Sequence, residues 1–304
     1  MQINYLKLKT RNYHLKMNYK NYYRLIKLIF IPFMIFIKIV GVLSKKQSNN
    51  LLIISTHVLS NLQKKNLYNG IIFDVSNKTL LSRAQRLIDK EKDTIWWISN
   101  LYSSEEIFLD IGANVGSYSL YACKLHKKIR VYSFEPESEN YNILVRNIKS
   151  NKMSNQITSF NLALSNHNGI RQENLNLSSN TPGKSDHNIS SINNDHSVTV
   201  DSNSILISSL DYLMKVKIIE SFDHIKIDVD GAEAQIIEGM KLALNSKFIK
   251  TIIIEFNYTN EKIEEYVQLI CSYNFILVKP PTEDQNNHFF IEKNYYLNKK
   301  KLFI

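Results

Sequence analysis

From residue 106 to residue 292 the chain alternates between short apolar runs and longer stretches with apolar positions three and four residues apart. The short runs are 106–110 (EIFLD), 129–134 (IRVYSF), 157–163 (ITSFNLA), 223–228 (DHIKID), 250–256 (KTIIIEF), 274–278 (NFILV) and 287–292 (NHFFIE). They read as strands, and the helical pattern occupies 116–127, 138–150, 231–244 and 260–273. This alternation predicts an α/β fold, a mainly parallel sheet with helices on both faces. The two strands after the last helix predict an antiparallel edge strand. Right-handed crossovers then place the carboxyl ends of the parallel strands along one rim, where open α/β sheets bind ligands.

Upstream, a short strand at 70–75 and a helical pattern at 80–101 form a small strand-helix cap within 51–104, ahead of a main domain at 105–304. Residues 165–204 are rich in Asn and Ser and poor in large apolar groups, which predicts a surface excursion built on a hairpin; a flap over the substrate site is the sharper reading. Residues 1–50 form a basic, partly apolar arm. Its apolar run from Leu28 to Ile37 is bracketed by Lys27 and Lys38 and contains Pro32. A helix lying in a membrane interface, or docking a partner, fits this pattern better than a spanning segment, and the expected location is cytoplasmic with peripheral membrane contact.

Charge sharpens that division. The 304 residues carry a formal net charge of +10, yet no acid precedes Asp74 while twelve Lys and Arg do, which leaves −2 for residues 74–304. A folded part so near neutrality has no broad electrostatic footprint for nucleic acid. The 44% hydrophobic content argues against wholesale disorder, and two distant cysteines, Cys123 and Cys271, exclude a disulfide framework.

The chemistry is concentrated after the first strand of the main domain. Leu109-Asp-Ile-Gly-Ala-Asn-Val-Gly116 leaves an apolar strand and opens a helix, and its glycines let backbone approach a ligand closely. A dinucleotide loop would have G-x-G-x-x-G spacing and bare amides for a pyrophosphate. Here the Asp110 carboxylate stands where phosphates would sit, and two like charges 4 Å apart repel by ~4 kcal/mol at an effective dielectric near 20. A phosphate-free cation is favoured, and S-adenosylmethionine has that character. Its ribose diol calls for an acid at the end of the next strand, where Glu135 stands nineteen residues beyond Gly116. Two other readings are a nicotinamide-linked oxidoreductase and a non-catalytic scaffold docking through its basic arm.

With these residues the sequence resembles the FkbM-type family of SAM-dependent methyltransferases over roughly residues 68–295. The matching pieces are 108–119 (FLDIGANVGSYS), Phe134-Glu-Pro136, Asn161-Leu-Ala-Leu-Ser165, Ser209-Leu-Asp-Tyr-Leu213 and, most specific, Ile225-Lys-Ile-Asp-Val-Asp-Gly-Ala-Glu233. The resemblance implies a Rossmann-like class I methyltransferase fold and O-methylation of a saccharide or another hydroxylated small metabolite. It places Asp110, Gly112, Asn114 and Gly116 on the methionine side of the donor, Glu135 at the ribose, and the turn around Ala163 at the adenine. Asp228 would face the reacting methyl, with Glu233 and then Asp230 as further candidates for the base; the family pattern often has Glu where Asp230 stands. A carboxylate so placed can take the proton of an attacking hydroxyl. His224 reads as a structural hydrogen bonder, Glu255 as a rim acid within reach of substrate, and no resident metal is expected. His167, His187 and His196 lack zinc spacing.

Overall fold

The computed structural model describes residues 64–67, 70–177, 181–184, 188–190, 201–256, 260–282 and 287–303, together with scattered helical positions between 28 and 58. The chain divides into two compact units, residues 1–62 and 63–304. Within the first, the described positions are helical, and Leu28, Ile31, Phe33, Ile35, Phe36 and Ile39 are exposed. Among the described residues no helix is long and apolar enough to cross a membrane. His187 and His196 lie outside the described residues.

The second unit opens with a hairpin, β1 (Lys64–Leu67) and β2 (Ile71–Asp74), and three consecutive helices, α1 (Lys78–Gln85), α2 (Leu87–Lys90) and α3 (Lys92–Leu101). The single helical pattern read at 80–101 is thus broken twice, at Arg86 and Glu91, whose backbones leave helical geometry. Asn77 caps α1 by accepting from the amide of Leu80.

There follow β3 (Ile107–Ile111), α4 (Ser117–Leu125), β4 (Arg130–Phe134), α5 (Ser138–Ser150) and β5 (Ile157–Phe160). After an excursion come β10 (His224–Ile227), α7 (Glu233–Glu238), α8 (Lys241–Asn245), β11 (Thr251–Glu255), α9 (Asn260–Ser272), β12 (Phe275–Val278), β13 (Asn287–Glu292) and α10 (Lys293–Lys299). The helix expected over 231–244 is interrupted at Gly239, where a Cβ would lie 1.9 Å from the carbonyl oxygen of Ser165.

Seven strands form one sheet in the order β12-β13-β11-β10-β3-β4-β5. β13 alone runs opposite to the other strands of this sheet, and it lies one position in from the edge, between β11 and β12. The order reverses between β3 and β10, so their carboxyl ends bound the crevice where such sheets bind ligands.

The stretch read as one strand over 157–163 splits between two sheets. β5 ends the main sheet, while β6 (Ala163–Leu164) joins β7 (Arg171–Leu177), β8 (Asn188–Ser190) and β9 (Asp201–Ser208) in a four-stranded sheet ordered β6-β9-β7-β8. The expected hairpin is the consecutive antiparallel pair β7–β8; β9 pairs antiparallel on the other side of β7 and is followed by α6 (Leu210–Lys215).

Alternation along each strand separates two cores. Leu109, Ile225, Ile227, Ile252 and Ile254 face one layer, and Phe108, Val131, Ile253 and Phe289 face the other, where Trp97 and Leu101 of α3 pack. His224 faces that second layer, fully buried. Its ring stacks on Tyr102 at 4.0 Å, and its nitrogens meet Thr251 Oγ1 at 2.6 Å and Glu106 Oε2 at 2.9 Å. It is a structural hydrogen bonder, as its place in a core strand predicts. Cys123 is a buried free thiol, pushed up to about 12 by that burial.

Burial alone would raise the Glu106 pKa, but hydrogen bonds from His224, Lys250 and the Ser103 amide outweigh it and hold the group at about 2. A lowered carboxyl pKa stores stability above the unfolded value near 4.5 and loses it as pH falls toward 2. The shift corresponds to about 3 kcal/mol. Denaturant titrations of wild type and Glu106→Gln between pH 5 and pH 2 should converge as the acid limb is reached. A gap that stays constant with pH would show that Glu106 does not carry this dependence.

Candidate active site

The loop leaving β3 uses left-handed backbone at every second residue: φ is +80° at Gly112, +50° at Asn114 and +83° at Gly116. The amides of Gly112 and Ala113 both donate to the carbonyl of Phe134, at 3.0 and 2.9 Å, which ties the loop to the end of β4. Gly112 is required on steric grounds, because a Cβ there would lie 1.9 Å from the carbonyl oxygen of Asp228. Its absence lets the loop rest directly on the end of β10.

Asp110, on the last turn of pleat before the loop, is 1% exposed. Ser119 Oγ donates to Oδ2, and Ser119 in turn meets Ser133 at 2.8 Å. Oδ1 is buried without a hydrogen-bond partner among the described residues. Burial raises the Asp110 pKa, opposed by the Lys226 charge and the Ser119 hydroxyl. Glu135, at the end of β4, is also buried; Oε2 accepts from the Asn114 amide at 2.7 Å and Oε1 from the Glu137 amide at 2.9 Å. Burial pushes it up to about 8 despite those two donors. Asn161 binds the adjoining carbonyls of Glu135 and Pro136 at 2.9 and 3.0 Å. Ala163, two residues on, sits in strand β6 with its side chain among Leu175, Ile205 and Ile207.

The three acids after β10 separate sharply. Asp228 reaches the cleft beside the glycine loop and lies 2.5 Å from the Lys226 ammonium. Burial works to raise its pKa, and the charge and hydrogen bond of Lys226 prevail and lower it. Glu233 is fully buried at the start of α7, where it accepts from the Gly231 amide at 3.1 Å. It serves the first turn of its own helix. Asp230, between them, is half-buried and does not line the cleft.

Two further acids join Asp228 from distant parts of the chain. Ligand atoms of Glu91, Asp228 and Glu255 all lie within 4.8 Å of one another. Burial, Asp228 and Glu91 together push Glu255 up to about 7. Such a cluster could attract a hard cation, but the protein supplies its own. The Lys226 ammonium, 2% exposed, is 2.5 Å from Asp228, 3.8 Å from Glu91 and 4.9 Å above the ring of Tyr118. Burial would lower the Lys226 pKa, and the carboxylates of Asp228, Glu91 and Asp110 raise it instead. The sequence did carry a signal for it. A lysine inside an otherwise apolar strand, two residues before an aspartate, has to find paired charge there.

The cleft itself opens beside the glycine loop. Gly112, Asn114 and Asp228 line it together with Tyr118, Glu91 and three cations of the cap, Arg83, Arg86 and Lys90. The cap residues were not among the sequence candidates, although positions 83, 86 and 90 share a three-to-four spacing on a helical stretch. A phosphate-free, positively charged methyl donor fits this arrangement. The unpartnered Asp110 Oδ1 is a buried acceptor awaiting a donor, and the missing Cβ of Gly112 keeps the loop against Asp228.

Gly112→Ala and Gly231→Ala provide a matched test, because Gly231 has φ +94° but nothing within 4 Å of an added Cβ. Both substitutions meet backbone strain of ~1–2 kcal/mol. Only Gly112→Ala should exceed it, by about 2 kcal/mol in urea unfolding, and only it should weaken donor binding. Equal costs would rule out the close approach as the reason for the glycine.

By sequence the chain matches none of the curated proteins. Among solved structures it is loosely similar to precorrin-6y C5,15-methyltransferase from Geobacter metallireducens GS-15, with TM-score 0.39 and 14% identity over 68% of this chain and 90% of that one. TrmK of M. capricolum, solved with its cofactor product S-adenosylhomocysteine, gives TM-score 0.38 and 16% identity over 64% of each chain. These alignments carry no argument about chemistry. The sequence match to a family model does: residues 110–277, more than half of the chain, match the methyltransferase FkbM domain, from Asp110 through the Asp228 string to the strand after α9. The cofactor of this family is S-adenosylmethionine, in keeping with the loop chemistry above. The chain belongs to the FkbM family of SAM-dependent methyltransferases.

Proposed function

We propose that this methyltransferase acts on oxygen, methylating a hydroxyl of a saccharide or another small hydroxylated metabolite, with Asp228 as the base. The observation that carries this reading is a carboxylate lining the cleft, held ionised by a buried ammonium 2.5 Å away. When bound, the donor supplies an electrophilic methyl on a sulfonium. An alcohol is a weak nucleophile at neutral pH, and Asp228 accepts its proton as the new C–O bond forms and the C–S bond breaks. General-base assistance of this kind contributes about 10²–10⁴-fold.

The surrounding residues orient rather than react. Gly112 and Asn114 hold the loop against β4, and the paired Lys226 fixes the carboxylate of Asp228 so that acceptor and methyl can be aligned. Glu135, adjoining the Asn114 amide, is the acceptor proposed for the ribose hydroxyls, and the turn around Ala163 is proposed for the adenine side. The near-neutral charge of residues 74–304 supports a small or glycan acceptor over nucleic acid.

The N-terminal unit is proposed to hold the enzyme at the cytoplasmic face of a membrane. Support comes from the basic leader and from the exposed apolar positions Leu28, Ile31, Phe33, Ile35, Phe36 and Ile39 on helical backbone. Full-length protein should float with anionic vesicles at low salt, and protein lacking residues 1–45 should not. Equal flotation of the two would remove this role from the arm.

The catalytic reading is tested with the donor's product and with labelled donor. S-adenosylhomocysteine at a hundred times its Kd should add about 2.7 kcal/mol to unfolding free energy. Labelled donor incubated with a saccharide-containing extract of the source cell should yield a methyl ether. Asp228→Asn should lower that transfer by at least about 10²-fold at saturating donor. A labelled product carrying the methyl on nitrogen or carbon would overturn the O-methyl reading.

A further inference from the structure

Acids are only part of the charged lining of the cleft. With Asp228 and Glu91 it is lined by Arg83, Arg86 and Lys90, contributed by α1, the break after it and α2. Ser117 and Tyr118, the first two residues of the nine-residue helix α4, line it too. Amides in the first turn of a helix have no intrahelical acceptor and carry its positive end. The cleft therefore offers both signs of charge: carboxylates at and near the strand ends, its floor, and cations of the cap, its wall. A simple cation would use the floor alone. A phosphate dianion would use the wall but be repelled by the floor. A zwitterion bearing ammonium and carboxylate on one carbon uses both.

We propose that Arg86, with Arg83 and Lys90, forms a carboxylate subsite that holds the α-carboxylate at the methionine end of the donor while the acids below receive its ammonium. This rests on the family's cofactor and not on the identity of the acceptor. The three cations do not have equal duties. Arg83 Nε also donates to the carbonyl of Gly183, and Lys90 also pairs with Glu91 at 3.3 Å. Arg86 is exposed, and its backbone amide already closes α1 on the Ser82 carbonyl at 3.0 Å. Truncating its side chain therefore leaves the described packing in place.

The test compares two ligands of full-length protein by calorimetry. S-adenosylhomocysteine carries the amino-acid end, whereas 5′-methylthioadenosine keeps the adenosine and the thioether and lacks that end. Arg86→Ala should weaken S-adenosylhomocysteine about ten- to a hundredfold and change 5′-methylthioadenosine by less than twofold. Arg86→Lys should recover part of the loss. Equal weakening of both ligands, or no change in either, would overturn the subsite and leave the O-methylation reading standing. Failure of wild type to bind either compound would remove the cofactor assignment and the subsite with it.

Discussion

The placement of one ammonium governs this site. Asp110, Glu91, Asp228 and Glu255 converge at the carboxyl ends of the central strands, and Lys226 is the charge that makes their convergence tolerable. Removing charges from water costs several kcal/mol per ion unless opposite charge and hydrogen bonds compensate. With the ammonium 2.5 Å from Asp228, the compensation goes first to the carboxylate that lines the cleft. Glu255, farther from that relief, is pushed up to about 7. One cation thus divides neighbouring acids into one held below the usual carboxyl range and one pushed above it.

That arrangement depends on the cap as much as on the sheet. Trp97 and Leu101 bury α3 against Phe108 and Phe289, and Trp97 Nε1 donates to Thr251 Oγ1 at 2.7 Å. Anchored in this way, α3 brings Glu91, just before its first turn, to 3.8 Å from Lys226. The same anchoring suspends α1 and α2 over the glycine loop, so the apolar core of the cap decides where its arginines stand. A segment of the polar excursion closes the arrangement from outside. The Lys184 carbonyl accepts from Asn114 and Asn140 at 3.0 and 3.2 Å, the Pro182 carbonyl from Asn77 at 3.0 Å, and the Gly183 amide donates to Asn140 at 2.6 Å. Three asparagine side chains satisfy its backbone, which is how an irregular segment can lie against a buried loop.

The cleft that results is polar in two senses at once. Read from the loop alone, with Asp110 and the acidic string, the pocket is negative and greets a cation. The folded chain adds Arg83, Arg86 and Lys90 to the lining, cations that the loop does not encode. Glu233, by contrast, turns away into its own helix, and so one acid of the string supports the turn that another uses.

Periodicity and spacing along the chain were enough to determine the α/β alternation, the glycine loop after the first strand of the main sheet and the acids at the ends of β3, β4 and β10. These are local properties: a strand repeats every two residues, a helix every three or four, and a tight turn needs glycine where it turns. Tertiary structure alone decided that Lys226 sits opposite Asp110 in register, that Glu91 reaches it from 135 residues earlier, that Ala163 belongs to a second sheet, and that the cap faces the loop with its cations. The physical reason is that charge pairing and burial are set by which distant segments meet. A one-residue change of register between β3 and β10 would turn Lys226 toward the opposite core and leave the acids without their partner.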